Sequence, residues 1–164
     1  MFHAHSIEDF YFKITDADKQ RFEVPQEGVF PIDPLRNSNY SINISEFKFE
    51  YTASPFDFKI TRRFNNATLF STEGGEIIFS DYYLQITTQV DNSYNYGLGE
   101  RFNPRFRLND GKWTIFNRDR GQVIDKGQGL QTYGYYPIYL QREEHANLFH
   151  ISYLRSSNAM DVIK

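Results

Sequence analysis

Apolar side chains recur along this chain at every second residue in short runs, and turn-forming residues cut the runs apart. The clearest case is Phe56, Phe58 and Ile60, which alternate with Asp57, Lys59 and Thr61. A period of two puts one set of side chains on each face of a pleated strand. Aromatic residues make up 18% of the chain, with 16 Phe and 12 Tyr, and such side chains suit half-buried pleated surfaces. There is no convincing amphipathic helix, no internal repeat and no low-complexity tract. Short strands separated by turn signals point to an all-β fold, an antiparallel β-sandwich. Periodicity alone leaves the sandwich topology open.

Strands are expected over Asp9–Ile14 and Gln20–Val24, joined by the turn-rich Thr15-Asp16-Ala17-Asp18. Residues 25–40 hold three of the six prolines and read as a connecting loop. Ile42 and Ile44 then share one parity, whereas Phe47, Phe49 and Tyr51 share the other, so a break or bulge is expected near Ser45-Glu46. Asn65-Asn66 and Gly74-Gly75 read as turns. Ile77–Val90 is apolar enough for one long strand or a bent one. Tyr135–Arg142 and Leu148–Leu154 flank the polar Glu143-Glu144-His145-Ala146-Asn147 and predict a hairpin, with Phe149, Ile151 and Tyr153 on one face and the two glutamates solvated in its turn.

A chain of 164 residues has the length of one domain and can bury roughly 70% of its unfolded surface, so its core needs no staples. Without cysteine it forms no disulfide and offers no thiolate to a metal. The formal net charge of -3 leaves no electrostatic footprint for nucleic acid. No apolar run reaches the length of a membrane-spanning helix, so no membrane partner is expected. The start, Met1-Phe2-His3-Ala4-His5-Ser6, lacks the basic and apolar regions of a signal peptide.

Four runs follow one another in the second half: Tyr96-Gly97-Leu98-Gly99-Glu100-Arg101-Phe102, Trp113-Thr114-Ile115-Phe116-Asn117-Arg118-Asp119, Tyr133-Gly134-Tyr135-Tyr136-Pro137-Ile138-Tyr139-Leu140, and Ser156-Ser157-Asn158-Ala159-Met160-Asp161-Val162. In this order they resemble the N-terminal β-sandwich of glycoside hydrolase family 31, the α-glucosidases. The first half resembles it more weakly, through Phe10–Asp16, Arg21–Pro25 and Pro55–Arg63. The resemblance implies a galactose mutarotase-like sandwich over residues 9–164, after an extended or disordered 1–8, and incomplete at its C-terminal end. It also implies a (β/α)8 barrel as partner, which carries the aspartate nucleophile and the aspartate acid/base. Trp113 is the single tryptophan and does not begin the nucleophile's Trp-x-Asp-Met-Asn-Glu run, so neither catalytic aspartate has a counterpart. Retaining hydrolysis needs two carboxyl groups about 5–5.5 Å apart, and the sequence nominates no such pair. The chain alone is therefore expected to be inactive, with no catalytic residue, metal or cofactor of its own. Family members are often secretory or lysosomal, and this sequence does not fix a compartment.

Asp119 is the candidate substrate-binding residue. In the family the aspartate of the Asn-Arg-Asp run reaches the barrel's pocket and accepts hydrogen bonds from sugar hydroxyls. An ionised carboxylate makes the strong, charge-assisted kind. The plainer reading is a loop aspartate paired with Arg118 or Arg120, or simply solvated. The loop after it, Arg120–Gly129, has three glycines and lacks the proline usual in the family at Gly121 or Gln122. Gly97-Leu98-Gly99 lacks the lysine, spacing and helix of a phosphate loop and reads as a tight turn. His3, His5, His145 and His150 suggest no metal site, and nothing in the sequence sets a histidine acid against a glutamate base. Trp113 in a strand-like run reads as packing rather than as a sugar platform. Asn39, Asn43 and Asn66 begin Asn-x-Ser/Thr sequons that matter only in the secretory pathway. The expected ligand is an α-glucoside or oligosaccharide, bound where the barrel completes the pocket. The alternative is a stand-alone, non-catalytic carbohydrate-binding or protein-interaction sandwich.

Overall fold

The computed structural model describes residues 2–4, 10–22, 45–89, 94–102, 106–108, 110–119, 130–134, 136–143, 148–154 and 159–162. Every ladder among them is antiparallel and no helix occurs, so the described chain is all-β and sandwich-like. Contacts divide it into two compact units, Met1–Val90 and Asp91–Lys164.

In the first unit β1 (Phe2–Ala4) pairs with β2 (Phe10–Phe12). A second sheet holds β3 (Phe47–Ala53), β4 (Phe56–Arg62) and β5 (Thr68–Ser71) in that order. The bend at Ser45-Glu46 lies where the parity changes, and the Ser45 hydroxyl accepts the Phe47 N–H to start β3. Ile42 and Ile44, the other half of that argument, lie outside the described residues. The alternation of β4 turns Phe58 and Ile60 inward, where with Phe47, Leu69 and Phe70 they form a core. Phe58 stacks on Phe70 with ring centres 5.5 Å apart, and Phe12 meets Phe58 edge-on at 5.0 Å. Both expected turns are present: Asn66 takes a φ of 56° and Gly74 a φ of 71°.

Two expectations change here. The described part of Ile77–Val90, which ends at Gln89, is neither one strand nor a bent one but holds a hairpin, β6 (Ile77–Phe79) against β7 (Leu84–Ile86). Ser80 makes the difference: its hydroxyl accepts the Tyr83 N–H and donates to the Tyr83 carbonyl, which closes a turn inside the apolar run. Gln20–Phe22 are not strand, while the Glu23 and Val24 of that prediction lie outside the described residues. Arg21 is tied instead by its side chain. It donates to the carbonyls of Ser80 and Asp81 and lies 4.7 Å from the Phe79 ring centre.

The second unit contains β8 (Tyr94–Gly97), β9 (Arg101–Phe102), β10 (Gly111–Thr114), β11 (Leu130–Gln131), β12 (Ile138–Arg142), β13 (Phe149–Tyr153) and β14 (Ala159–Val162). They pair as β13–β12–β8, β9–β11 and β10–β14. The β12–β13 hairpin is the one expected from sequence, with Leu140 opposite Ile151. Its core gathers Leu98, Leu108, Trp113, Ile115 and Tyr139. Trp113 is packing, as its strand-like setting implies.

Candidate functional site

The second unit ties all four sequence runs together by hydrogen bonds, the fourth through the ladder of β14 on Trp113 and Thr114. Gly97, the last residue of β8, has a φ of 127° and Leu98 a φ of 57°, so the run has the unusual backbone angles expected of it, and the chain changes direction there. The Leu98 N–H bonds the Ile138 carbonyl at 2.8 Å, which fixes this turn to β12 and drives the Leu98 side chain fully into the core. On the far side of the turn the Tyr136 N–H donates to the Gly99 carbonyl at 3.0 Å, and the Thr132 N–H donates to the Glu100 carbonyl at 3.0 Å. Thr132 passes the connection on, because its own carbonyl accepts the Arg118 N–H at 2.9 Å.

This frame carries Asp119. Ile115 is buried, whereas Phe116, Asn117, Arg118 and Asp119 are exposed. The segment therefore leaves the core at Ile115 and runs out to the carboxylate, anchored one residue before it. Among the described residues no hydrogen bond or ion pair engages Asp119, so pairing with Arg118 is set aside. Arg120 and the glycine-bearing loop through Gly129 lie outside the described residues. Phe116, Tyr133 and Tyr136 are all more than half exposed, at 62%, 54% and 56%. The Arg118–Thr132 bond brings the segments of Phe116 and Tyr133 alongside each other.

Arg101 escaped the sequence reading, although it lies inside the first run. Its Nε donates to the Leu98 carbonyl at 2.7 Å, and its Nη2 donates to the Thr114 carbonyl. Its guanidinium sits over Trp113, 5.4 Å from the ring centre. Burial pushes its ionisation below the ordinary arginine value. Nothing in residue spacing forecasts a bond from Arg101 to Thr114, because only the strand pairing of the unit brings the two together.

A second polar cluster was also missed. Glu143 is only 9% exposed, so it is not solvated as its place in the turn suggested. Its backbone N–H bonds the Leu148 carbonyl and closes the hairpin, which draws the side chain inward. Its Oε1 lies 3.7 Å from His150 Nδ1. Glu144, the other glutamate of that turn, lies outside the described residues. Gln141 stands between Asn95 and His150 across the three strands, and both Gln141 and Asn95 are buried. Burial also raises the ionisation of Tyr139 on the same face, offset in part by a hydrogen bond with Ser152. The sequence set no histidine beside a glutamate; strand register does. Their 3.7 Å separation lies beyond hydrogen-bond reach, so proton transfer between them has no direct route.

The first unit has a cleft lined by Ile14, Asp16, Lys19, Arg21, Phe79 and Leu84 among others. Its charges are already paired: Arg21 lies 3.5 Å from Asp16, and Lys19 lies 3.2 Å from Asp81 outside the lining. Among the described residues no group of three or more metal-ligating side chains gathers.

No protein-family profile matches the chain. Individual proteins do. Intestinal sucrase-isomaltase of Suncus murinus is 37% identical over 158 residues, covering 93% of this chain and 8% of that protein. Lysosomal acid alpha-glucosidase of Tetrahymena pyriformis is 34% identical over 154 residues, covering 92% of this chain and 16% of that protein. A probable alpha/beta-glucosidase of Arthroderma benhamiae is 34% identical over 151 residues, covering 91% and 17%. The chain thus spans less than a fifth of the length of each relative.

Proposed function

Over the segment shared with these proteins the chain belongs to glycoside hydrolase family 31, and from that premise we propose that it is a sugar-pocket module of an α-glucosidase-like enzyme. In this reading the chain is a galactose mutarotase-like sandwich that binds no sugar chemistry to completion by itself. It presents Asp119 to a pocket finished by a catalytic barrel, and the substrate is an α-glucoside or oligosaccharide. The relatives' names, sucrase-isomaltase and alpha-glucosidase, support that substrate class. The observation that carries the role of Asp119 is its exposed carboxylate, unengaged among the described residues and anchored through the adjacent Arg118–Thr132 bond. A carboxylate held ready in this way accepts hydrogen bonds from vicinal hydroxyls without first breaking an internal pair.

The test is Asp119→Ala in the polypeptide that contains this chain together with its barrel, assayed on a chromogenic α-glucoside. Loss of one charge-assisted hydrogen bond in a desolvated pocket corresponds to about 2 kcal/mol, so kcat/KM should fall at least tenfold. An unchanged kcat/KM overturns the role.

One observation favours a second reading. The exposed Phe116 and Tyr133 beside the carboxylate's segment suit stacking against a sugar ring. A stand-alone carbohydrate-binding sandwich would use them directly. Maltose binding by the isolated 164-residue chain, abolished by Asp119→Ala, selects that reading.

A further inference from the structure

We infer that Arg101 is the positioning residue for Asp119: it locks the start of the segment that carries the carboxylate, while Thr132 locks the end. The inference deepens the proposed function and rests on it for its consequence in catalysis, though its structural part can be read without any sugar.

The geometry is a relay with two fixed ends. Leu98 is immobilised first, since its N–H is bonded to Ile138 on the central strand β12 and its side chain is fully buried. Arg101 is held to this anchor by its Nε–H, which donates to the Leu98 carbonyl at 2.7 Å. The other arm of the same planar group donates to the Thr114 carbonyl at the last residue of β10. The guanidinium face meanwhile covers the Trp113 ring at 5.4 Å. Thr114, Ile115 and Arg118 are therefore held by Arg101, by the core and by Thr132 in turn, and Asp119 comes next. Only a rigid fork with donors on separate nitrogens reaches two carbonyls from separate segments while lying flat on an indole. A lysine ammonium is a point donor and satisfies one of the three contacts at a time.

A structural residue would loosen the whole unit when replaced; a positioning residue loosens one segment. The experiment is residue-resolved amide hydrogen exchange on the 164-residue chain with Arg101→Lys. The expected result is exchange of the Arg118 amide, the N–H of this segment that is bonded to Thr132, at least tenfold faster, with the amides of β12 within twofold of the unmodified chain. Unchanged exchange at Arg118, or equal acceleration in β12, overturns the inference. The unmodified chain supplies a second measurement should the variant not fold. There, the Arg101 Nε–H and the Arg118 amide should open with one common free energy, and clearly different values overturn it.

In the barrel-containing polypeptide, Arg101→Lys should lower kcat/KM at least fivefold, and that loss should vanish when Asp119 is already alanine. A loss that persists on the Asp119→Ala background shows Arg101 acting by another route and overturns the positioning role. If Asp119→Ala alone changes nothing, the proposed function fails while the exchange result still stands, so the two failures are distinguishable.

Discussion

Gly97 combines a φ of 127° with a position where an added Cβ would run into the Ile138 carbonyl and the Tyr139 Cα. Strain and collision act together there, so Gly97→Ala should destabilise the second unit by about 2 kcal/mol or more. Gly74 has a φ of 71° with open space around its Cα, so Gly74→Ala carries the strain alone and should cost about 1 kcal/mol. Urea unfolding of both variants checks the difference; equal costs would show that the close approach to β12 does not matter. Asp16 offers a test with proton linkage. Its Oδ1 accepts the Asp18 N–H at 3.0 Å and the Lys19 N–H at 3.2 Å, with Arg21 beside it. The Asp18 bond leads in holding its carboxyl below the ordinary value of 3.8, against a raising effect of burial and with help from Lys19 and Arg21. A depressed folded-state value means the stabilisation is present above the unfolded value, and it is lost as pH falls through the folded one. The difference in Tm between the unmodified chain and Asp16→Asn should therefore be constant above about pH 5 and shrink below about pH 4. A gap that keeps its size at pH 2 would place the effect elsewhere. At this scale the sequence was legible where chemistry is local. Glycine at a turn and the Ser45 break are set by neighbours, whereas the Leu98 conformation and the Arg101 contacts are set by strands far along the chain.

Among the elements, the β12–β13 hairpin shows both the power of period-two reading and its limit. Alternation assigned Phe149, Ile151 and Tyr153 to one face, and they do share it. That face is open, with the three side chains 57%, 62% and 54% exposed. The covered face carries Tyr139, Gln141, Glu143 and the half-buried His150 instead. Alternation tells which side chains stand together; what lies over a face is decided by packing that no single strand encodes. The same limit split Ile77–Val90, where one serine turn outweighed an apolar run. The buried polar face has an energetic consequence. Glu143 sits beside His150 out of solvent, 3.7 Å away, and removing one side chain of such a buried pair leaves a cavity and an uncompensated neighbour. Glu143→Ala should cost about 2 kcal/mol in urea unfolding. The Lys48–Glu50 pair is shorter, at 2.7 Å, yet both side chains are about half exposed. Glu50→Ala should cost no more than about 0.5 kcal/mol, because exposed pairs are screened. If the surface pair proves the costlier one, burial is not what governs Glu143.

At the scale of the whole chain, the question is which part of a glycosidase's chemistry these residues hold. Two carboxyl groups about 5–5.5 Å apart across the scissile bond are the minimum for retaining hydrolysis. The sequence nominates no such pair, and among the described residues of the candidate site the exposed acidic groups are Asp119 and Glu100, which lie on separate segments. The segment matched in the relatives covers 8% to 17% of their lengths, which leaves ample sequence outside it to supply catalytic groups. The architecture, by contrast, is complete in one respect: the frame from Leu98 through Arg101 and Thr132 to Arg118 closes within the second unit. The purified 164-residue chain should accordingly release no product from a chromogenic α-glucoside above the buffer rate, at any pH between about 4 and 7, the range in which a carboxyl pair would work. Trp113 is the single tryptophan and lies under Arg101, so its emission reads the same frame during the assay. An emission spectrum that stays constant while no sugar is cleaved describes an intact module without catalytic groups. Steady turnover that survives further purification and is lost in Asp119→Ala would mean that this chain holds a carboxyl pair of its own, and the module reading would fall with it.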